Sequence, residues 1–282
     1  MKTRFEIAGG TVTGREHVRA GRNNQDAFCW SVGPEALVAV VCDGCSSGRY
    51  SELGALLGSR LALEAMARHL PFIGHAAGGL AADAWAGIRR DLLFQLHLVA
   101  QSLGGDPART VSDFLLFTIV GVVVGRDRGW LFSLGDGVAF LNGERLALGR
   151  AHDNRPAYLA STLHDGRGGL AREDGFRIHA LFPTTRLESL LIGSDGVEDL
   201  LASADRHLPG RTERVGGPSA LWEDDRNFRN PDHLRRRLSL MNRDSMRPDP
   251  ATGLPCRQPG LLPDDTTLVV VRRRREDRPC SS

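Results

Sequence analysis

Apolar residues fall along this chain in two rhythms. Short, dense runs rich in β-branched residues predict strands at Phe5–Val12, Asp26–Ser31, Ala36–Cys42, Phe114–Val124, Trp130–Leu134, Val138–Leu141, Leu187–Gly193 and Thr267–Arg272. Two longer stretches space their apolar residues three to four apart and predict helices. The first, Ser51–Leu70, carries Leu53, Leu56, Leu57, Leu61, Leu63 and Met66, with Ser51 placed to cap it. The second, Leu80–Leu103, carries Ile88, Leu92, Leu93, Leu96 and Val99, and Gly104-Gly105-Asp106-Pro107 stops it. Asn142-Gly143 is a hairpin signal. The strands from Phe114 to Leu141 read as an antiparallel meander, with Gly135-Asp136-Gly137 as one of its turns. Residues 150–185 read as loops with weak strands. Shorter helices are predicted at Val197–Ala202 and Pro231–Met241, the latter inside a polar, Arg- and Pro-rich stretch from 204 to 262.

Strands and helices are segregated rather than alternating. That argues against a doubly wound parallel sheet and for an α+β fold in which helices cover antiparallel sheets. At 282 residues and 41% hydrophobic, the chain can bury one large core. We take 1–275 as a single domain and 276–282 as a frayed tail. Lys plus Arg is 36 against 34 Asp plus Glu, a net charge of +2, which gives no basis for nucleic-acid binding. The late Arg clusters, Arg235-Arg236-Arg237 and Arg272 to Arg275, read as solvated faces or tail. No run approaches the roughly 18 apolar residues that span a membrane. Five cysteines include a formal C-x-x-C, Cys42 to Cys45, whose central Asp43-Gly44 fits an acidic site better than a redox pair. The odd cysteine count, and an N-terminus without an apolar core segment, place the chain in a reducing cytoplasm.

The chemistry lies in four acidic motifs: Asn24-Gln25-Asp26, Val41-Cys42-Asp43-Gly44, Ser194-Asp195-Gly196 and Asp264-Asp265-Thr266-Thr267. Three abut a predicted buried strand. A carboxylate at the mouth of a buried strand has lost water and needs a counter-charge. Four of them converging would call for a hard divalent cation such as Mg²⁺ or Mn²⁺, which takes oxygen ligands and keeps several waters.

With Gly21-Arg22-Asn23-Asn24-Gln25-Asp26-Ala27-Phe28 leading and Leu134-Gly135-Asp136-Gly137 in the middle, these motifs stand in the order of a known family. The chain resembles the metal-dependent protein phosphatases of type 2C, in their compact bacterial branch, over about residues 8–272. The resemblance implies a four-layer α-β-β-α sandwich with two Mg²⁺ or Mn²⁺ ions at one end. It implies that Asp43 bridges both ions, Asp26 and Asp195 hold or position one, Asp264 holds the other, and the Gly44 carbonyl adds an oxygen. Arg22 would bind the phosphate and His17 would protonate the leaving alkoxide. Asp113 is the candidate carboxylate for a third ion, and Asp136 reads as a structural turn residue. The implied substrate is a phosphorylated protein, the implied partner a cognate Ser/Thr kinase, and the implied state a monomer. Two departures stand out. Gln25 replaces a carboxylate common in the family, so the second ion is expected to bind more weakly. Leu115-Leu116-Phe117 replaces a small-residue segment. They motivate a second reading, a phosphatase-fold regulatory or binding module with weak or no turnover. A third is hydrolysis of a small phosphorylated metabolite. Residues 150–185, with His152, Arg155, His164, Arg167 and Arg172, would form a flap over the site.

Overall fold

The apolar runs become strands buried on both faces, so each needs a layer above and a layer below. In the computed structural model, which describes residues 1–74, 79–148, 157–163, 175–248 and 253–274, the order begins β1 (Phe5–Val12), α1 (Arg15–Arg19), β2 (Asp26–Val32), β3 (Leu37–Gly44), α2 (Ser51–Gly74), α3 (Gly79–Leu103) and α4 (Pro107–Thr110). Then come β4 (Phe117–Val124), β5 (Arg128–Leu134), β6 (Val138–Leu141), β7 (Glu144–Leu146), β8 (Arg177–Pro183), β9 (Ser189–Gly193) and α5 (Val197–Ala202). The chain continues with α6 (Ser219–Glu223), α7 (Arg226–Arg229), α8 (His233–Met241), β10 (Ser245–Pro248), β11 (Pro255–Gln258) and β12 (Thr266–Arg273).

Two five-stranded antiparallel sheets result, ordered β2-β3-β4-β5-β8 and β1-β12-β9-β6-β7. Period-two alternation sorts each strand between two cores. On β3, Leu37, Ala39 and Val41 face the other sheet, while Val38, Val40 and Cys42 face α2 and α3. On β12, Val269 and Val271 face inward, while Leu268 and Val270 pack with Leu234, Leu238 and Met241 of α8. This is the expected four-layer sandwich. Among the described residues, no helix is long and apolar enough to cross a membrane.

Several local expectations change. The meander breaks at Gly135-Asp136-Gly137: β4 and β5 pair, but β6 crosses to the second sheet and pairs with β7 and β9. Gly137, at φ 141°, allows the crossing, because a Cβ there would lie 2.7 Å from the Gly193 carbonyl. The β6–β7 hairpin turns at Asn142 (φ 52°) and Gly143 (φ 82°), as the dipeptide predicts. The strand expected from Phe114 begins at Phe117, because Val111–Leu115 forms a π-helical turn. Residues 177–183 are a full edge strand, and 204–262 contains α6, α7 and the β10–β11 ribbon in addition to α8. Arg272 and Arg273 are buried, not solvated: Arg272 bonds Glu6 and Asp225, each at 2.8 Å, and lies 4.0 Å over the Phe228 ring. Charge pairing and stacking make that burial tolerable for a guanidinium. The 276–282 tail and the flap residues His152, Arg155, His164, Arg167 and Arg172 lie outside the described residues.

Candidate metal centre

The two inner faces run out of apolar side chains at the same end of the sandwich. On β2 the inward positions read Phe28 then Asp26, on β3 Val41 then Asp43, and on β4 Val120 then Thr118. The facing sheet offers Val269 then Thr267, with Thr11 opposite Thr267, and Ile192 then Ser194. One layer beyond the core, the sequence pattern therefore swaps apolar groups for carboxyls and hydroxyls.

A ring of hydrogen bonds ties the sheets together there. Ser194 Oγ donates to Asp26 Oδ2 at 2.6 Å and accepts from Thr267 N at 3.1 Å. The Thr11 and Thr267 hydroxyls are 2.5 Å apart, Asn24 Nδ2 donates to Thr11 Oγ1 at 2.7 Å, and Asn24 Oδ1 accepts from Asp26 N at 2.9 Å. Asp26 is thus oriented by one oxygen, while its other oxygen, Oδ1, is buried without a hydrogen-bond partner.

Asp26 and Asp43 are paired residues on adjacent strands. Asp195 follows β9 and Asp264 precedes β12, whose Leu268 pairs with Gly193, so the motif ends meet. Burial raises Asp26 from the ordinary 3.8 to about 8, with the charges of Asp265 and Asp195 adding to it. Burial likewise pushes Asp43 well up, followed by the charges of Asp26 and Asp195, a hydrogen bond with Asp195 and the charge of Asp264. Asp195 is raised by desolvation and then by Asp264. Among the described residues, no Lys or Arg forms an ion pair with any of these four. Carboxylates crowded without a counter-charge, with a buried oxygen left over, fit a divalent cation.

Gln25 is 4% exposed. Its Nε2 donates to Ser51 Oγ at 2.7 Å, so Ser51 receives this amide at the start of α2, and its Oε1 is a second buried oxygen without a partner. Gly44 N donates to the Gln25 carbonyl at 3.0 Å, which locks the end of β3 to this segment. His17, on α1, places Nδ1 2.8 Å from Asp265 Oδ2, close enough for an ion pair but not aligned as a hydrogen bond. His17, Asp264 and Asp265 offer ligand atoms within 4.8 Å of one another. Arg22 is exposed, and its Nη1 donates to the Ser46 carbonyl at 2.9 Å, in the loop that follows β3.

Asp113 lies on a different segment, and its backbone carbonyl accepts from Tyr50 N at 2.8 Å in the loop that follows β3. It sits in the π-helical turn, 3.4 Å from Arg109 Nε. The charge of Asp136 adds to the rise of Asp195. The sequence reading treated Asp136 as a turn residue only. Ser194, Thr267 and Asp265 carry no role in the sequence reading beyond their motifs, yet they build the site, and Tyr158, absent from that reading, has its hydroxyl raised by burial and by a hydrogen bond with Cys45. The serine in Ser194-Asp195-Gly196 and the second acid in Asp264-Asp265 were the available signals.

The sequence profile of protein phosphatase 2C matches residues 13–221. No curated protein matches the sequence. Among solved structures, a bacterial serine phosphatase aligns at 16% identity over 96% of this chain and 98% of its own, with a TM-score of 0.53. The serine/threonine phosphatase Stp1 from Staphylococcus aureus aligns at 16% identity over 95% of this chain and 94% of its own, with a TM-score of 0.52. At these identities the likeness is one of fold.

Proposed function

The chain belongs to the protein phosphatase 2C family, and we propose that it hydrolyses phosphoserine and phosphothreonine in proteins at a site holding two Mg²⁺ or Mn²⁺ ions. The observation that carries this reading is the unpaired acidic cluster, in which burial and mutual repulsion raise Asp26, Asp43 and Asp195 together. Asp43 would be shared between the ions, with Asp26 and Asp195 on one, Asp264 on the other and the Gly44 carbonyl nearby. When bound, such ions supply an acidified water and a positive field for the phosphoryl oxygens.

The remaining roles fall to this chain's own side chains. Arg22 would exchange the Ser46 carbonyl for two phosphoryl oxygens, a geometry its planar fork suits. His17, braced by Asp265, would deliver a proton to the departing seryl or threonyl oxygen. Ser194 keeps Asp26 turned into the site, and Gln25 sets the height of Gly44. A Ser/Thr kinase would supply the substrate. The test is hydrolysis of p-nitrophenyl phosphate with Mn²⁺ and with a chelator. Activity should require the metal and vanish in Asp43→Ala; chelator-resistant activity rules the mechanism out.

A second reading keeps the site but not the turnover. Gln25 favours it, since a buried neutral amide stands where a further carboxylate would strengthen metal binding. Saturable Mn²⁺ binding without hydrolysis of any phosphopeptide would select it.

A further inference from the structure

Asp264 and Asp265 are adjacent acids, and proximity alone would make both of them metal ligands. Their surroundings differ sharply. Asp264 is exposed, whereas Asp265 is 3% exposed and both of its oxygens are engaged. Its Oδ1 accepts from Gly14 N at 2.6 Å and its Oδ2 accepts from Gln25 N at 2.6 Å. These two amides bracket the segment from 14 to 25, which carries α1, His17 and Arg22. His17 Nδ1 makes a third contact from inside the loop, at 2.8 Å from Oδ2.

The start of the loop has other supports. Arg15 N and Glu16 N donate to the carbonyls of Leu262 and Pro263 at 3.0 and 3.1 Å. The backbone of 264 and 265 also lies tight against two glycines. A Cβ on Gly14 would sit 2.3 Å from the Asp264 carbonyl carbon, and one on Gly196 would sit 1.9 Å from the Asp265 carbonyl oxygen. At the end of the loop, Gln25 N donates to Asp265 alongside the bonds that tie Asn24 to Thr11 and Gln25 to Ser51 and Gly44. That end lies three residues after Arg22 and directly before Asp26.

We propose that Asp265 is a positioning residue rather than a metal ligand: its single carboxylate clips both ends of the Gly14–Gln25 loop and so holds Arg22 and His17 in register with the acidic cluster. Charge-assisted bonds to backbone amides are among the stronger hydrogen bonds a fold makes. Spending both oxygens on them leaves the outward acid, Asp264, for a cation. The kinetic part of this inference rests on the phosphatase reading; the loop clip does not.

The test is Asp265→Asn, which keeps the shape but turns one acceptor into an NH₂ group facing an N–H. In the intact chain, the Gly14 and Gln25 amide protons should exchange slowly. In the variant at least one should exchange ~10-fold faster or more, while Val269, Val270 and Val271 on β12 keep their protection. KM for a phosphothreonine peptide and the inhibition constant of inorganic phosphate should each rise ~10-fold. Calorimetric Mn²⁺ affinity should stay within about threefold, in contrast to Asp264→Asn. The inference is overturned if Asp265→Asn lowers Mn²⁺ affinity as far as Asp264→Asn does, which would make Asp265 a ligand. It is equally overturned if exchange at Gly14 and Gln25 is unchanged, or if it rises alike across β12, which would make Asp265 a general stability residue. Should the wild-type protein lack turnover, the phosphatase reading fails, and the exchange and Mn²⁺ measurements still decide the clip.

Discussion

Asp26 gives the acidic cluster a measurable cost. The residue is 9% exposed and its carboxyl is raised from 3.8 to about 8, with burial as the largest cause. An acid raised in the folded state adds stability that is complete below its unfolded pKa and is lost as pH rises through the folded one. The metal-free protein should therefore weaken from about pH 4 up to and beyond pH 8. His179 and His233 are both lowered by burial, and act in the opposite direction at and below about pH 6.5. Between pH 6.5 and 8.0 they offset part of the acid effect, because about half of each unfolded histidine is still protonated at pH 6.5. Over that interval Asp26 is mostly protonated when folded and ionised when unfolded. At about 1.4 kcal/mol per pH unit, this costs roughly 1.5 kcal/mol, and Asp43, raised in the same direction, adds to it. Asp26→Asn should remove the Asp26 share, since an amide oxygen can still accept from Ser194 Oγ. The assay is urea unfolding of chelator-treated protein at the two pH values, with and without Mn²⁺. Wild type should lose stability between them and regain it with Mn²⁺. The variant should be more stable than wild type at pH 8.0 without metal and gain less from Mn²⁺. A wild-type stability that is flat over the interval, or an Asp26→Asn protein weakened equally at both pH values, would refute the reasoning.

Further outcomes follow from the same geometry. Gln25→Glu should destabilise the metal-free protein by about 1–3 kcal/mol, because it buries another charge and must reverse the bond to Ser51, and should tighten Mn²⁺ binding, read by calorimetry. Arg22→Ala should raise KM for a phosphopeptide ~10-fold or more while changing the melting temperature little, since the side chain is exposed. Asp113→Asn should leave Mn²⁺ affinity unchanged, because its carboxylate pairs with Arg109, and should cost well under ~1 kcal/mol in urea unfolding. Gly196→Ala should cost ~3 kcal/mol or more, because a Cβ 1.9 Å from the Asp265 carbonyl forces the backbone apart.

The layer architecture was legible because doubly buried strands and two long amphipathic helices leave distinct apolar rhythms. The assignment of strands to sheets was not. Phe132 and Phe140 both sit in apolar runs, and nothing in either run tells that β5 and β6 belong to different sheets. Residues 204–262 were opaque for another reason: their short helices are held by specific bonds rather than periodicity. Asn227 Nδ2 donates to the Leu221 carbonyl at 2.9 Å, and Asn227 Oδ1 lies 2.7 Å from His233 Nδ1. Buried Arg272 reaches the Trp222 carbonyl at 3.3 Å as well as Asp225. In the acidic site, residues next to a turn-like Asp-Gly were readable by motif. Ser194, Thr267 and Asp265 act through contacts with residues 73 to 256 positions away, which no local pattern encodes.

The most direct test of the central claim is turnover of a phosphothreonine peptide as Mn²⁺ is titrated into metal-free wild type and into Asp195→Asn. The account predicts phosphate release that rises with Mn²⁺ and saturates in the wild type, and falls steeply in the variant. Release that is independent of Mn²⁺, or equal in the two proteins, would contradict it.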